Sequence, residues 1–331
     1  MKIRSGEIMT KVFVLGGTGL LGYQTILELL KRSYTVSTIA RNAELMEELI
    51  PEEAEQHIGD INNMTDEEIA AMLQATDWFV YAAGVDERKV PDAPAVSYYY
   101  RENVLPTQRL ARIAREAGVK KFVIYGSYHA YFAEKWPELD LKKSPYPRTR
   151  RLQEEVAMLE GEGEMDVMSL RLPYIFGTMP GRTPLWKMFL PQVVDKEVIV
   201  VPEGSTAMVT TRQVAEAAIG ALKNGTHGST YTISGVNMSY VDFYRIIADT
   251  IGQKDSVIRK ASLEEMRPAF EKIDEQLAQT GKERAMPAVK TAELQSLDTT
   301  IDPEETMSLL SFKEDDIRKA IEESIQKALE E

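Results

Sequence analysis

The apolar run Val12, Phe13, Val14 and Leu15 breaks into Gly16-x-x-Gly19-x-x-Gly22 and resumes as a helical pattern of Leu20, Leu21, Tyr23, Ile26, Leu27, Leu29 and Leu30. A short uninterrupted run is what a strand covered on both faces needs, and the helical spacing behind it supplies one of the covers. Strand, glycine turn and helix together constrain the fold to an α/β layer with a parallel sheet. They also constrain what sits above the turn. The first N–H groups of a helix have no partner within it and lie at the positive end of its dipole, so an anion is expected there. Gly16 permits the tight turn, Gly19 lets a pyrophosphate approach the backbone, and Gly22 lets the helix lie close on the strand. With Thr18, Leu20 and Leu21 beside them, these glycines are the first candidate cofactor residues.

Strand and helix patterns keep alternating. Strands are expected at Tyr34–Ile39, Glu55–Ile58, Trp78–Ala82, Phe122–Tyr125 and Val167–Leu172. Helices are expected from the Thr65-Asp66-Glu67-Glu68 capping box to Gln74, over Ala95–Ala117 up to Gly118, and over Arg148–Leu159. This is the pattern of a doubly wound parallel sheet. After about residue 175 the alternation loosens into loops bearing Pro and Gly, two short strands (Val198–Val201, Thr230–Ile233) and helices at Gln213–Lys223 and Tyr240–Ile251. The stretch Lys254–Asp302 is charged and largely helical, and a final amphipathic helix, Glu314–Leu329, carries Ile317, Ile321 and Ile325 on one face. The chain therefore divides into a dinucleotide-binding region, 9–175, and a smaller α/β substrate region, 176–331, partly interleaved with it.

Composition narrows the chemistry. The absence of cysteine excludes thiol catalysis, disulfides and thiolate metal sites, and the three histidines (His57, His129, His227) are too scattered to suggest a zinc cluster. The expected metal content is none. A net charge of -13 opposes long-range attraction to nucleic acid and anionic lipid, so a phosphate-bearing ligand needs a local basic site. The opening MKIRSGEI is too short and polar for a secretory signal, Met9 is a candidate natural start, and a cytoplasmic location is expected. The expected partners are a small-molecule substrate and, at most, a second copy of the chain.

In a dinucleotide fold the end of the second strand lies beside the adenosine ribose, where an acid selects a free 2′-hydroxyl and a base accepts a 2′-phosphate. Here it reads Ser37-Thr38-Ile39-Ala40-Arg41. No carboxylate is present, and the planar fork of Arg41 suits a phosphate, so NADP(H) is expected over NAD(H). Asp60, in His57-Ile58-Gly59-Asp60, is either an acceptor for the adenine amino group or a turn residue.

Further motifs make the chain resemble the extended short-chain dehydrogenases/reductases, also called NAD-dependent epimerases/dehydratases, over most of its length. Ala82-Ala83-Gly84 resembles the family's cofactor loop, and Asn103 its helix asparagine. FVIYGSYHAY at 122–131 resembles the segment with the catalytic serine, which maps to Ser127. Ser144-Pro145-Tyr146-Pro147-Arg148-Thr149-Arg150 resembles the catalytic Tyr-x-x-x-Lys, and Arg171-Leu172-Pro173-Tyr174-Ile175-Phe176-Gly177 the passage from nicotinamide to substrate, with Pro173 at the cofactor. The resemblance implies hydride exchange with a carbonyl or secondary alcohol, with Ser127, Tyr146 and Arg150 as the catalytic set.

The chemistry of that set follows from its spacing. A phenol titrates near pH 10, and a cation one helical turn away lowers that value and also reaches the cofactor ribose. Arg150 stands where the family has lysine. It keeps the charge but cannot relay a proton. A literal Tyr131-Phe132-Ala133-Glu134-Lys135 is the competing pair, though Trp136-Pro137 should end its helix.

Tyr128, His129 and Arg182 are candidate substrate contacts, with loop or packing roles as the alternatives. Tyr98-Tyr99-Tyr100 lines a pocket or belongs to core and interface. The family's dehydratases place an acidic pair where this chain has Tyr128-His129, and its nucleotide-sugar epimerases an arginine where it has Ser205-Thr206. The expected function is an oxidoreductase acting on a small polar metabolite. The alternatives are a sugar epimerase with tightly held NAD(P) and a non-catalytic NADP(H) sensor or scaffold.

Overall fold

The computed structural model describes residues 9–330; the MKIRSGEI segment lies outside them. Seven parallel strands form the main sheet in the order β10-β6-β5-β4-β1-β2-β3. They are β1 (Lys11–Leu15), β2 (Thr35–Ala40), β3 (Glu55–Ile58), β4 (Trp78–Tyr81), β5 (Lys121–Ser127), β6 (Asp166–Leu172) and β10 (Thr230–Thr232). The chain winds outward from β1 to β3, then returns to β4 and winds the other way, so the direction reverses between β1 and β4. Ligand crevices of such sheets open at the carboxyl ends of those two strands.

Both sheet faces are covered, as the apolar strands require. One face packs against helices α1 (Leu20–Lys31) and α8 (Thr211–Asn224), burying Ile26, Leu29, Val214 and Ala218 against Val12, Val14 and Val80. The other packs against α3 (Asp66–Met72), α5 (Leu105–Glu116) and α7 (Pro145–Gly161), with Ile69, Leu110, Ala114 and Ala157 against Phe13, Phe79 and Phe122. Phe79 lies 5.0 Å from Phe13 and 4.6 Å from Phe122, ring centre to ring centre, tying three adjacent strands together. The predicted capping box at Thr65 and Glu68 is formed.

A second layer holds β7 (Tyr174–Phe176), β9 (Ser205–Thr210), β11 (Val236–Ser239) and β13 (Asp298–Thr299) in one small sheet, and β8 (Val198–Pro202) with β12 (Val257–Ala261) in another. Phe176, Trp186, Phe189 and Phe243 fill its core, together with Ile321 and Ile325 of α13 (Ile317–Glu330). The remaining helices are α2 (Ala43–Leu49), α4 (Ala95–Tyr99), α6 (Tyr128–Lys135), α9 (Tyr240–Thr250), α10 (Leu263–Ala278), α11 (Ala288–Gln295) and α12 (Glu304–Leu310).

Three local expectations are corrected. The strand near Thr230, read with the substrate region, pairs with β6 as the outermost strand of the main sheet. The long helix expected over Ala95–Ala117 is interrupted by a π turn, Tyr100–Val104, placed where Pro106 cannot donate the next helical hydrogen bond. Helix α7 begins at Pro145, three residues before the expected start, because proline is tolerated in a first helical turn. That earlier start puts Tyr146 and Arg150 on one helix.

Candidate active site

A cavity of about 580 Å³ opens at the carboxyl ends of the central strands. It brings together Gly16, Thr18, Gly19, Leu20, Leu21, Arg41, Ala82, Ala83, Gly84, Ser127, Tyr128, His129, Tyr146, Arg150, Pro173 and Arg182 of the sequence-predicted residues. Gly22, Asp60 and Asn103 do not line it. A Cβ on Gly22 would lie 2.1 Å from the Gly16 carbonyl oxygen, so that glycine serves helix–strand contact. Asp60 accepts from the Asn62 backbone N–H at 3.1 Å and the Asn63 amide at 3.3 Å, as a turn residue does. The Asn103 side chain accepts from Val85 N–H (2.8 Å) and donates to Val85 C=O (2.9 Å), holding the loop after β4 from behind.

The glycine turn has the shape that a dinucleotide requires. Gly16 has φ +90°, and a Cβ on it would lie 2.8 Å from the Ala82 carbonyl oxygen. Gly19 begins α1 with no side-chain cap. A Cβ on Gly19 would lie 3.2 Å from the Gly16 carbonyl oxygen and 3.7 Å from Nη1 of Arg182. Arg182, a candidate for substrate, is thus placed at the pyrophosphate end. Arg41 lines the same cavity with no carboxylate partner among the described residues. The Nε of buried Arg150 has no hydrogen-bond partner among the described residues, leaving a donor for a polar ligand group. These residues fit a dinucleotide.

At the other end, β5 delivers Ser127 to the crevice and α7 brings Tyr146 and Arg150 across from it. The Arg150 guanidinium lies 5.6 Å from the Tyr146 ring centre and donates to the Tyr125 carbonyl. Tyr146 is buried, edge-on to Tyr99 at 5.5 Å and to His129 at 6.0 Å. Burial raises its phenol above the ordinary value; Arg150 pulls it down, Glu87 and Asp86 push it up, and a hydrogen bond from Ser127 pulls it down. The cation therefore acts in the expected direction, but desolvation outweighs it, and the phenol is protonated at neutral pH. The same frame fixes the helix that carries it. Buried Arg171 on β6 pairs with Glu154 of α7 at 2.7 Å and with Glu134 of α6 at 2.7 Å.

His129 meets the Ser127 hydroxyl through Nδ1 at 3.2 Å and through its backbone N–H at 3.3 Å. Burial, followed by the Arg150 charge, lowers its imidazole from 6.5 to about 4. Between those values the unfolded chain binds the proton and the folded chain does not, so stability falls as pH drops from 6.5 towards 4. Urea melts of wild type and His129→Asn at pH 7 and pH 4 should differ in their pH dependence by about 3 kcal/mol, the variant being the less acid-sensitive. Equal acid sensitivity of the two proteins would contradict the burial of a neutral imidazole.

The competing pair is placed elsewhere. Tyr131 and Lys135 lie on α6, which ends at Trp136, and the Lys135 amine sits against the rings of Tyr131, Phe132 and Trp136 at 5.3–5.8 Å. Neither lines the cavity. Tyr99 of the tyrosine cluster is fully buried against Tyr146. Ser205 and Thr206 are tied into the small sheet, the Ser205 hydroxyl donating to Asp298 at 2.6 Å. Sequence reasoning missed Asp86, Glu87, Tyr174, Trp186 and Phe189, which all line the cavity. The acidic pair directly after Ala82-Ala83-Gly84 was the available signal for the first two.

Comparison with known proteins places the chain in a family. The profile of the NAD dependent epimerase/dehydratase family matches residues 12–234. A Stigmatella aurantiaca protein, 4-hydroxy-2-methyl-3-oxo-4-farnesyl-3,4-dihydroquinoline-1-oxide ketoreductase, is 25% identical over 263 residues, covering 75% of each chain. The crystal structure of gox2253 superimposes with a TM-score of 0.75 at 21% identity, covering 96% of this chain and 98% of that one. The UDP-glucuronic acid 4-epimerase of Bacillus cereus in complex with NAD does so with a TM-score of 0.67 at 16% identity, covering 97% and 99%. Among the described residues no helix is long and apolar enough to cross a membrane. The chain belongs to the NAD-dependent epimerase/dehydratase family of extended short-chain dehydrogenases/reductases, and is an NAD(P)-dependent oxidoreductase or epimerase of that type.

Proposed function

We propose that this protein is a reductase that moves hydride between NADP(H) and the carbonyl or secondary alcohol of a small molecule. The observation that carries the reading is the meeting of Ser127, Tyr146 and Arg150 in one cavity with the glycine turn. A bound nicotinamide supplies or accepts the hydride. Tyr146, protonated at neutral pH, gives its proton to the substrate oxygen as negative charge develops there, and Ser127 donates a hydrogen bond to the same oxygen. Arg150 holds the cofactor ribose and stabilises the phenolate left behind. Residues 9–175 carry the cofactor side and the reacting groups, and 176–331 add Trp186 and Phe189 to the substrate side.

Two observations favour a reductase over a nucleotide-sugar epimerase. Ser205 and Thr206 offer no cation for a diphosphate, and Arg182, the one cation that residues 176–331 contribute to the lining, faces the glycine turn. The similar Stigmatella protein is named a ketoreductase. NADPH consumption with a carbonyl panel and a freely exchanging cofactor supports the reductase; NAD(P) retained through purification, with no carbonyl consumed, supports the epimerase.

Arg41 carries the cofactor preference. One or two charge-assisted hydrogen bonds to a 2′-phosphate make NADPH bind about 10- to 100-fold more tightly than NADH. Arg41→Asp should erase or reverse that ratio in a fluorescence titration. Equal affinities in the unmutated protein would overturn the preference, leaving the hydride chemistry standing.

A further inference from the structure

The cavity is not uniform in charge. Its cations sit at the cofactor end or are already engaged: Arg182 lies over Gly19, Arg88 pairs with Asp86, and Arg150 is held by the Tyr125 carbonyl and the Tyr146 face. The far wall is aromatic, with Tyr128, Tyr174, Trp186 and Phe189. Glu87 lines the same cavity. No hydrogen bond or ion pair joins it to a basic side chain among the described residues, although the charges of Arg88 and Arg150 act on it, and its own charge acts on the phenols of Tyr146, Tyr128, Tyr174 and Tyr99. The residue is exposed at the cavity lining, and desolvation there raises its carboxyl above the ordinary value, aided by Asp86 and opposed by Arg88 and Arg150.

A carboxylate at the lining of a cavity with aromatic walls is satisfied by a hydrogen-bond donor and repels an anion. We infer that Glu87 is the specificity-determining residue of this site, taking a neutral or cationic hydrogen-bond donor on the substrate and excluding substrates that carry an anion near the reacting carbonyl. The inference rests on the reading of Ser127 and Tyr146 as the reacting centre. It narrows the substrate to a carbonyl compound with an apolar or aromatic body bearing a hydroxyl or amino group. Nothing on the glycine turn or at Arg41 bears on this choice. Glu87 follows a strand end that the cofactor loop shares, so one loop serves both ligands.

Three acetophenones of similar size provide the probes: 4-acetylbenzylamine, 4-acetylbenzyl alcohol and 4-acetylbenzoate. Dissociation constants from calorimetry on the cofactor-loaded protein are measured beside kcat/KM. The amine and the alcohol should bind at least about tenfold more tightly than the benzoate, the scale of one hydrogen bond to a charged group. Glu87→Gln should collapse the amine's advantage over the alcohol, and Glu87→Lys should invert the order in favour of the benzoate, mainly through KM. Cofactor affinity should stay nearly constant in both variants. An order indifferent to residue 87, or binding of none of the three, overturns the inference. Binding in the expected order without turnover sustains it and counts against the reductase reading; turnover blind to charge does the reverse.

Discussion

Tyr146→Phe is expected to lower kcat about a thousandfold, the scale of one positioned acid–base group, while leaving cofactor affinity nearly intact. The substitution removes a single hydroxyl. The ring keeps its edge contacts with Tyr99 and His129 and its place against the Arg150 guanidinium, so packing gives no reason for a collapse. The pH dependence separates the directions of reaction. Because burial raises the phenol, carbonyl reduction should be flat through neutral pH, whereas alcohol oxidation, which needs the phenolate, should accelerate as pH rises. Steady-state rates in both directions check this, and activity that survives Tyr146→Phe would move the acid–base role to another group, such as Tyr128 in the same cavity.

Arg150→Met should be the second largest loss. It removes a buried cation that contacts the Tyr125 carbonyl and the Tyr146 ring and lowers the phenol's pKa. Cofactor binding should weaken about 10- to 100-fold, the range for hydrogen bonds to a charged group. The phenol should move further upward, so oxidation suffers more than reduction. Arg150→Lys keeps the charge and should retain or raise activity. Cofactor titrations and pH–rate profiles for both variants decide the matter. Unchanged affinity in Arg150→Met would confine Arg150 to holding the strand end at Tyr125.

The sheet was legible because Val12–Leu15 and Phe122–Tyr125 are continuous apolar runs, and Val167–Leu172 is largely one, broken by Ser169 and Arg171, a pattern that fits a strand inside a parallel sheet. The strand at Thr230 was legible as a strand but not as a neighbour of β6, since pairing is a long-range choice that a three-residue segment does not encode. The turn before Tyr146 was obscured by Pro145 and Pro147, which read as helix breakers but are tolerated in a first turn. Within the site, Gly16, Gly19, Ser127 and Tyr146 announced themselves through spacing. Glu87 and the aromatic wall did not. Their position depends on how the loop after β4 and the segment around Trp186 fold over the crevice, and Asn103 sets the first of these from the π turn ahead of Pro106.

The most direct measurement follows the hydride. NADPH deuterated on one face of the nicotinamide C4 is incubated with the protein and the acetophenone alcohol probe, and the product is examined by mass spectrometry and NMR. Deuterium should appear at the carbinol carbon from one C4 face only, with the rate of transfer falling about a thousandfold in Tyr146→Phe. A protein that binds the nucleotide but leaves the label in place with this probe and with a wide carbonyl panel would contradict the account.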